Sequence, residues 1–226
     1  MEKSVNLTIN GQEVSATKGQ TILQAAEANN IFIPTLCYVK DLLPTGSCRL
    51  CVVEVAGSRT LVGSCHTPVG DGMKIQTHSP RVLEARRNII NLIMASHPDS
   101  CLICEEANRC ELRRLAMDMD IGLPVFNARK HYYAPEDDNS AIRRDMAKCI
   151  LCHRCVTVCA ANSGKKLFSI AYRGFNSKVV HGQDEVIAAD ACGDCNACIE
   201  TCPTGALTRP RVPGEAKKGP VQVIRG

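Results

Sequence analysis

The sequence is poor in aromatic residues, with no Trp and only four Tyr and four Phe among its 226 residues. Because aromatic side chains bury the largest apolar areas, their scarcity predicts thin hydrophobic cores. No apolar run is long enough to cross a membrane, and the N-terminus MEKSVNLTIN lacks the apolar segment of a secretory signal. We therefore expect a cytoplasmic chain of about one to three small domains, with no integral membrane segment and with stability that depends on more than apolar burial.

Signals for nucleic-acid binding and for nucleotide-dependent catalysis are also missing. The Lys and Arg residues are scattered, and no block of five or more like charges occurs. The formal charge of +4 counts every Cys as a neutral thiol. Metal ligands are thiolates, so a fully metallated chain has a charge of about −3. Only the fragment Gly70-Asp71-Gly72 is present in place of a G-x-G-x-x-G motif. We therefore expect no nucleic-acid partner and no catalytic site in this chain.

Cysteine, by contrast, is abundant, with 15 residues. An odd number of cysteines cannot pair completely, and disulfides are rare in a reducing compartment. Dense cysteines at short, fixed spacings therefore indicate metal ligation, which leaves structural zinc and iron–sulfur clusters as the alternatives.

The first segment, residues 1–78, is predicted to be a small mixed α+β domain. Residues 4–9 and 12–17 alternate in polarity like strands on either side of Asn10-Gly11, a strong hairpin signal. A helical pattern follows at 21–29, and further β-rich runs occur at 51–55, 59–62 and 73–77.

Four cysteines in this segment follow the spacing C-x10-C-x2-C-x13-C: Cys37, Cys48, Cys51 and Cys65. Thiolates drawn from one long loop and a later turn suit a [2Fe–2S] cluster, and Gly46 allows the backbone to approach the sulfurs and donate N–H groups. A four-cysteine zinc site normally has two C-x2-C pairs, whereas this set has only one.

The second segment, residues 79–120, is predicted to begin with a helix of about four turns, because Ser79 is a good N-cap and Pro80 suits the first helical position. Its predicted apolar face consists of Val82, Leu83, Ile89, Ile90 and Ile93. The helix leads to the group H-x3-C-x2-C-x5-C, which consists of His97, Cys101, Cys104 and Cys110. Three cysteines are one ligand short of a [4Fe–4S] set.

The third segment, residues 141–210, carries C-x2-C-x2-C-x3-C twice. This is the pattern of bacterial two-cluster ferredoxins, in which the fourth Cys of each run binds the other cluster. One [4Fe–4S] cluster is therefore expected on Cys149, Cys152, Cys155 and Cys202, and the other on Cys192, Cys195, Cys198 and Cys159. Ala160 replaces the usual Pro after the first run, with little expected effect. Residues 121–140 read as a connector, and residues 211–226 as a flexible tail.

Counting ligands then identifies the partner of the three cysteines in the second segment. Four clusters need about 16 ligands, and the chain offers 15 cysteines. His97 is the best candidate for the remaining position, with His66 or an Asp as the next choice. His66 and His153 lie beside sets that already have four cysteines. We therefore expect these two histidines at most to contact a cysteine ligand, and not to bind iron themselves. The other histidines, His78, His131 and His181, read as ordinary residues.

Residues 37–202, with these three ligand patterns in this order, resemble the N-terminal region of the large iron–sulfur subunit of respiratory complex I and the matching region of iron-only hydrogenases. By length, the chain is most similar to the small diaphorase subunit of NAD-reducing nickel–iron hydrogenases. The resemblance implies a β-grasp first domain, a cluster bound by His97 and three cysteines, and a ferredoxin-like third domain. It also implies a cytoplasmic hetero-oligomer in which electrons pass between a flavin-containing NAD(P)H-binding subunit and a hydrogenase or formate dehydrogenase subunit.

Other functions remain open from the sequence. A freely diffusing polyferredoxin would have a strongly charged docking face and stay monomeric, whereas a relay subunit would expose apolar patches. The same relay role also suits a complex I-like or electron-bifurcating enzyme. A structural zinc protein is disfavoured by the paired ferredoxin runs.

Overall fold

The structure, a computed structural model, describes residues 4–136, 142–188, 190–192 and 195–210. The expected tail at 211–226 and the end of the connector therefore lie outside the described residues. The strands are β1 (Ser4–Ile9), β2 (Gln12–Thr17), β3 (Val52–Val55), β4 (Val62–Gly63), β5 (Lys74–Gln76), β6 (Arg143–Arg144), β7 (Ser169–Ala171), β8 (Lys178–Val180) and β9 (Leu207–Thr208). The α-helices are α1 (Ile22–Ala28), α2 (Pro80–Ser96), α3 (Glu111–Asp118), α4 (Arg154–Ser163) and α5 (Ala197–Glu200).

The first part of the chain forms a five-stranded mixed sheet with the order β2-β1-β5-β3-β4. β1 and β2 are joined at Asn10 and Gly11, whose φ values of 53° and 85° are those of the predicted tight hairpin turn. β5 pairs parallel with β1 in the centre of the sheet. The helix α1 is capped at its N-terminus by Thr21, whose hydroxyl accepts the N–H of Gln24.

The helix α2 begins where the sequence predicts, since the Ser79 hydroxyl accepts the N–H of Val82. Val82 and Ile90 are fully buried, as expected, but Leu83 is 43% exposed, so its assignment to the apolar face was wrong. The buried face instead includes the charged Arg86. Residues three or four apart share one side of a helix, and Arg86, rather than Leu83, follows this spacing from Val82.

The helices α2 and α3 share a core with the loop before β3. Buried Ile90 and Leu112 pack in one cluster with Leu36 and Leu50, which flank two of the predicted cysteine ligands. The loop that carries these cysteines is therefore held by the second segment as well as by the sheet of the first.

The last part of the chain contains α4, α5 and two small antiparallel pairs, β6 with β9 and β7 with β8. Its core contains cysteines alongside ordinary apolar residues, with Cys155, Cys159 and Cys198 all buried beside Ile187 and Leu207. The expected mixed α+β class with small sheets is confirmed. Within the described ranges, no helix has both the length and the apolar character needed to span a membrane.

Candidate iron–sulfur sites

The four cysteines of the first segment come together from two loops. Cys37 and Cys48 lie in the long connection between α1 and β3, Cys51 directly precedes β3, and Cys65 follows β4. The thiols of Cys37 and Cys48 interact as a pair, as do those of Cys51 and Cys65. The two pairs also interact electrostatically. All four predicted ligands of the [2Fe–2S] cluster therefore share one site.

Hydrogen bonding within each pair separates the pKa values of these thiols. The bond from Cys48 lowers the pKa of Cys37 to about 4, and the bond from Cys65 lowers the pKa of Cys51 to about 6. The same bonds, together with burial, raise the pKa values of Cys48 and Cys65. Each pair therefore favours the loss of one proton, which suits the binding of a cationic iron core.

The backbone also directs N–H groups at this site. The amides of Leu36 and Leu50 each donate to Cys48 Sγ at 3.5 Å. Gly46 and Arg49 have positive φ values of 64° and 57°, and these let the loop curl around the sulfur. Such N–H···S bonds stabilise negative charge on a ligand and tune the reduction potential of a cluster.

His66 lies beside this site, as expected. Its Nδ1 is 3.4 Å from Cys65 Sγ. Its ring packs so closely on Gly63 that a Cβ added there would lie 2.3 Å from His66 Cε1. A side chain at position 63 would therefore require the His66 ring to move.

The second set surrounds a small cavity, part of it open to solvent, that begins just after α2. Its lining includes His97, Cys101, Cys104 and Cys110. Cys110 is the N-cap of α3, and its sulfur accepts the N–H of Arg113 at 3.4 Å. The structure therefore brings the predicted histidine to the same cavity as the three cysteines.

The ring of His97 is oriented like that of a metal ligand. Nδ1 is 3.3 Å from the Pro98 carbonyl, and a neutral ring that donates there leaves Nε2 unprotonated. Among the described residues, Nε2 is buried and has no hydrogen-bond partner. Burial lowers the pKa of His97, although the carbonyls of Pro98 and Lys148 oppose this effect. A neutral imidazole with a free, buried nitrogen can bind iron through that nitrogen.

The third set lines a small cavity, also partly open, in the ferredoxin-like part. It contains Cys149, Cys152 and Cys155 from the first run together with Cys202 from the second. Burial raises the pKa of Cys149 to about 11 and that of Cys152 to about 12. Thiols in such a pocket stay protonated until a cation replaces the proton, which fits ligands of a metal cluster.

The fourth set is formed by the second run and the last cysteine of the first. Burial and the neighbouring Cys159 and Cys192 raise the pKa of Cys198 to about 12. Burial and the neighbouring Cys195 in turn raise the pKa of Cys192. The last cysteine of each run thus lies with the other run, as the ferredoxin pattern predicts. Ala160, which stands in place of Pro, lies inside α4.

Of the other histidines, His131 and His181 contact backbone carbonyls, whereas His153 borders one of the cysteine sets. His153 has a positive φ of 65° before α4 and lines the cavity of the third set. His131 Nε2 lies 2.6 Å from the Phe175 carbonyl, and His181 Nδ1 lies 2.9 Å from that of Leu167. Across the described ranges, no three His, Cys, Asp or Glu side chains converge on a position for a single metal ion.

The four sets adjoin one another through contacts that the sequence does not predict. The Ser47 hydroxyl, next to Cys48, donates to the carbonyl of Cys152 at 3.3 Å. Thr204 lines the cavities of both the second and the third set. Cys155 of the third set also interacts with Cys198 of the fourth. The third set is thus adjacent to each of the other three.

An ion pair joins the second and third sets. Arg154, next to Cys155, donates through both Nη atoms to the carboxylate of Glu111, at 2.7 and 3.0 Å. Glu111 in turn follows Cys110 in the chain. The partners are 43 residues apart, and no local pattern pairs residues at that separation.

Three family descriptions match successive parts of the chain. Residues 2–80 match a 2Fe-2S iron–sulfur cluster binding domain. Residues 86–123 match the NADH-ubiquinone oxidoreductase-G iron–sulfur binding region, and residues 139–208 match the ferredoxin-like domain of NADH-quinone oxidoreductase subunit 3. The expected 2Fe-2S and 4Fe-4S binding domains are therefore present, in the predicted order.

Similar proteins include subunits of hydrogenases and of complex I-like enzymes. The chain is 40% identical over 208 residues to the NADP-reducing hydrogenase subunit HndD of Solidesulfovibrio fructosivorans, a match that covers 90% of this chain and 36% of HndD. It is 34% identical over 204 residues to the 75 kDa subunit of NADH-ubiquinone oxidoreductase from Reclinomonas americana, across 90% of this chain and 29% of that protein. The chain thus spans only about a third of the length of these two relatives.

Two other relatives match over nearly their whole length. The gamma subunit of the NAD-reducing hydrogenase HoxS of Cupriavidus necator is 29% identical over 227 residues, which cover 98% of this chain and 96% of the gamma subunit. A chain in a crystal structure of an NAD+-reducing [NiFe]-hydrogenase in the H2-reduced state has a TM-score of 0.85 and 27% identity, across 97% and 92% of the two chains. The chain is therefore homologous, over nearly its whole length, to the HoxS gamma subunit, and it is homologous to part of the 75 kDa subunit of NADH-ubiquinone oxidoreductase; it combines the three iron–sulfur binding regions named above.

Proposed function

We propose that this chain is the relay subunit of an NAD(P)-linked hydrogenase complex and holds one [2Fe–2S] and three [4Fe–4S] clusters. The proposed [2Fe–2S] ligands are Cys37, Cys48, Cys51 and Cys65. The proposed [4Fe–4S] sets are His97 with Cys101, Cys104 and Cys110; Cys149, Cys152 and Cys155 with Cys202; and Cys192, Cys195 and Cys198 with Cys159. When bound, such clusters accept and release single electrons.

The observation that carries the relay role is the contact between neighbouring sets. Ser47 links the first set to the third, Thr204 borders the cavities of the second and third, and Cys155 lies in one buried cluster with Cys198 of the fourth. Such a continuous arrangement suits transfer between sites within one chain. Electron transfer of this kind needs no substrate pocket. Both cavities described above are bordered by proposed ligands, which fits this role.

The donor chemistry of the second set supports His97 as its fourth ligand. Its buried Nε2 lacks a hydrogen-bond partner among the described residues, and its ring borders the same cavity as three cysteines. Nδ1 lies within reach of the Pro98 carbonyl, which would hold the ring in place. A buried polar atom without a partner is costly, and bonding to iron would remove that cost.

The proposed division of the chain follows the ligand sets: a β-grasp [2Fe–2S] domain at 1–78, a helical domain with His97 at 79–120, a connector at 121–140, a two-cluster domain at 141–210 and a tail. The names of two relatives, an NAD-reducing and an NADP-reducing hydrogenase, support a flavin-containing NAD(P)H-binding subunit and a hydrogenase subunit as partners. A formate dehydrogenase subunit is the alternative catalytic partner.

Anaerobic native purification from the source cells, with mass identification of co-eluting chains and an iron determination, tests this proposal. We expect about 14 iron atoms per chain, from one [2Fe–2S] and three [4Fe–4S] clusters, and co-elution with a flavin subunit and a hydrogenase subunit. A monomer with full iron content would indicate a freely diffusing polyferredoxin instead. Co-elution with formate dehydrogenase would change the catalytic partner, and zinc in place of iron would refute the cluster assignment.

A further inference from the structure

Arg86 on α2 is a buried cation next to the proposed [2Fe–2S] site. It is only 2% exposed, whereas arginine side chains are almost never fully buried unless paired. Its Nε donates to the Leu50 carbonyl at 3.2 Å, and Nη2 donates to the Val52 carbonyl at 2.8 Å. These two carbonyls flank Cys51, so the guanidinium is fixed against the backbone of a proposed ligand.

The charge of Arg86 is not balanced by a carboxylate. In the described part of the chain, no Asp or Glu forms an ion pair with it, and the acidic side chain that acts on its charge is that of Cys51. Burial lowers the pKa of Arg86 to about 10, so the guanidinium remains charged at neutral pH. A buried charge without a counter-charge is strongly unfavourable, and hydrogen bonds to neutral carbonyls compensate only part of that cost.

We infer that Arg86 is the counter-charge of the [2Fe–2S] cluster and raises its reduction potential. This inference rests on the proposed function, because it requires the cluster to be bound by Cys51 and its three partners. Four thiolates around an iron–sulfur core are anionic, and reduction adds one more negative charge. A fixed cation beside the site therefore stabilises the reduced form more than the oxidised form. Arg86 is a potential-tuning residue that does not itself bind iron.

The position of Arg86 on α2 provides an internal control. His97 follows the end of the same helix, 11 residues further on, which is about 16 Å along the helix axis. The influence of a charge falls with distance, so removal of the Arg86 charge should affect the first set more than the second.

The test measures the midpoint potential of the [2Fe–2S] EPR signal in the full chain, with iron content, for the wild type, R86Q and R86K. R87Q is the matched control, because Arg87 is the neighbouring residue and its side chain is exposed. In R86Q we expect at least a tenfold fall in the equilibrium constant for reduction, which is about 59 mV for a one-electron couple. R86K keeps the charge, and R87Q changes only an exposed charge, so both should stay within about twofold of the wild type.

Each outcome separates this inference from the proposed function. Absence of a [2Fe–2S] signal in the wild type would refute the proposed site itself. An unchanged midpoint in R86Q, or equal shifts in R86Q and R86K, would overturn the role of the charge. Loss of the cluster in both variants would show that Arg86 acts through its hydrogen bonds to the loop, which also overturns the inference. Loss in R86Q alone, with R86K at the wild-type potential, would support it.

Discussion

Replacement of His97 is the most direct test of the ligand count, and two variants separate its possible roles. In H97A the imidazole is lost, and the cavity with Cys101, Cys104 and Cys110 keeps three thiols. In H97C a thiol replaces the imidazole at a position that is 8% exposed. His131 is half-buried and contacts the Phe175 carbonyl, so H131A is the control for loss of a histidine away from the cysteine sets.

The structure and the cluster stoichiometry set the size of the expected effects. H97A should lower the iron content from about 14 to about 10 atoms per chain, because one [4Fe–4S] cluster loses a ligand. H97C should keep the cluster but bind it through a fourth thiolate, which adds one negative charge. Two His-for-Cys exchanges accompany a rise of about 250 mV or more in Rieske centres, so the single reverse exchange should lower the potential by roughly 100 mV.

Iron analysis and EPR of the reduced chain, with a redox titration, measure both effects. The [2Fe–2S] signal should be the same in H97A, H97C and H131A, because its proposed ligands are unchanged. If H97A retained about 14 iron atoms and an unchanged spectrum, then the free Nε2 would not be the missing ligand. The search would then turn to His66 or an Asp.

Two further predictions concern the ferredoxin-like part. C202S should remove or alter the EPR signal of the first-run cluster and spare the second, while C159S should do the reverse; the opposite result would refute the exchange of ligands between runs. G205A should lower the temperature at which the visible absorbance of the clusters is lost, because Gly205 has a φ of 69° and its added Cβ would lie 2.3 Å from Cγ of the buried Glu106. We expect a cost of about 1–3 kcal/mol, against little change in G122A, where a Cβ would meet no atom within 4 Å.

Local signals predicted most of the secondary structure near the sites. Asn10-Gly11 specified the first hairpin, and Ser79-Pro80 specified the start of α2, because turn and cap geometries depend on a few adjacent residues. The exposed Leu83 was assigned incorrectly, and the buried Arg86 was missed. Apolar periodicity treats a charged residue as solvent-facing, although hydrogen bonds and a nearby thiolate can hold it inside.

The sequence by itself determined the number of candidate ligands, their grouping by spacing and the order of the domains, because cluster ligation requires particular residue types at short separations. Only the tertiary structure decided how these groups meet. It buried His97 Nε2 without a protein partner, joined Ser47 to Cys152, paired Glu111 with Arg154 and buried Arg86 beside Cys51. Most of these contacts join residues far apart in the chain, so they depend on how α2, α3 and α4 pack rather than on any local pattern.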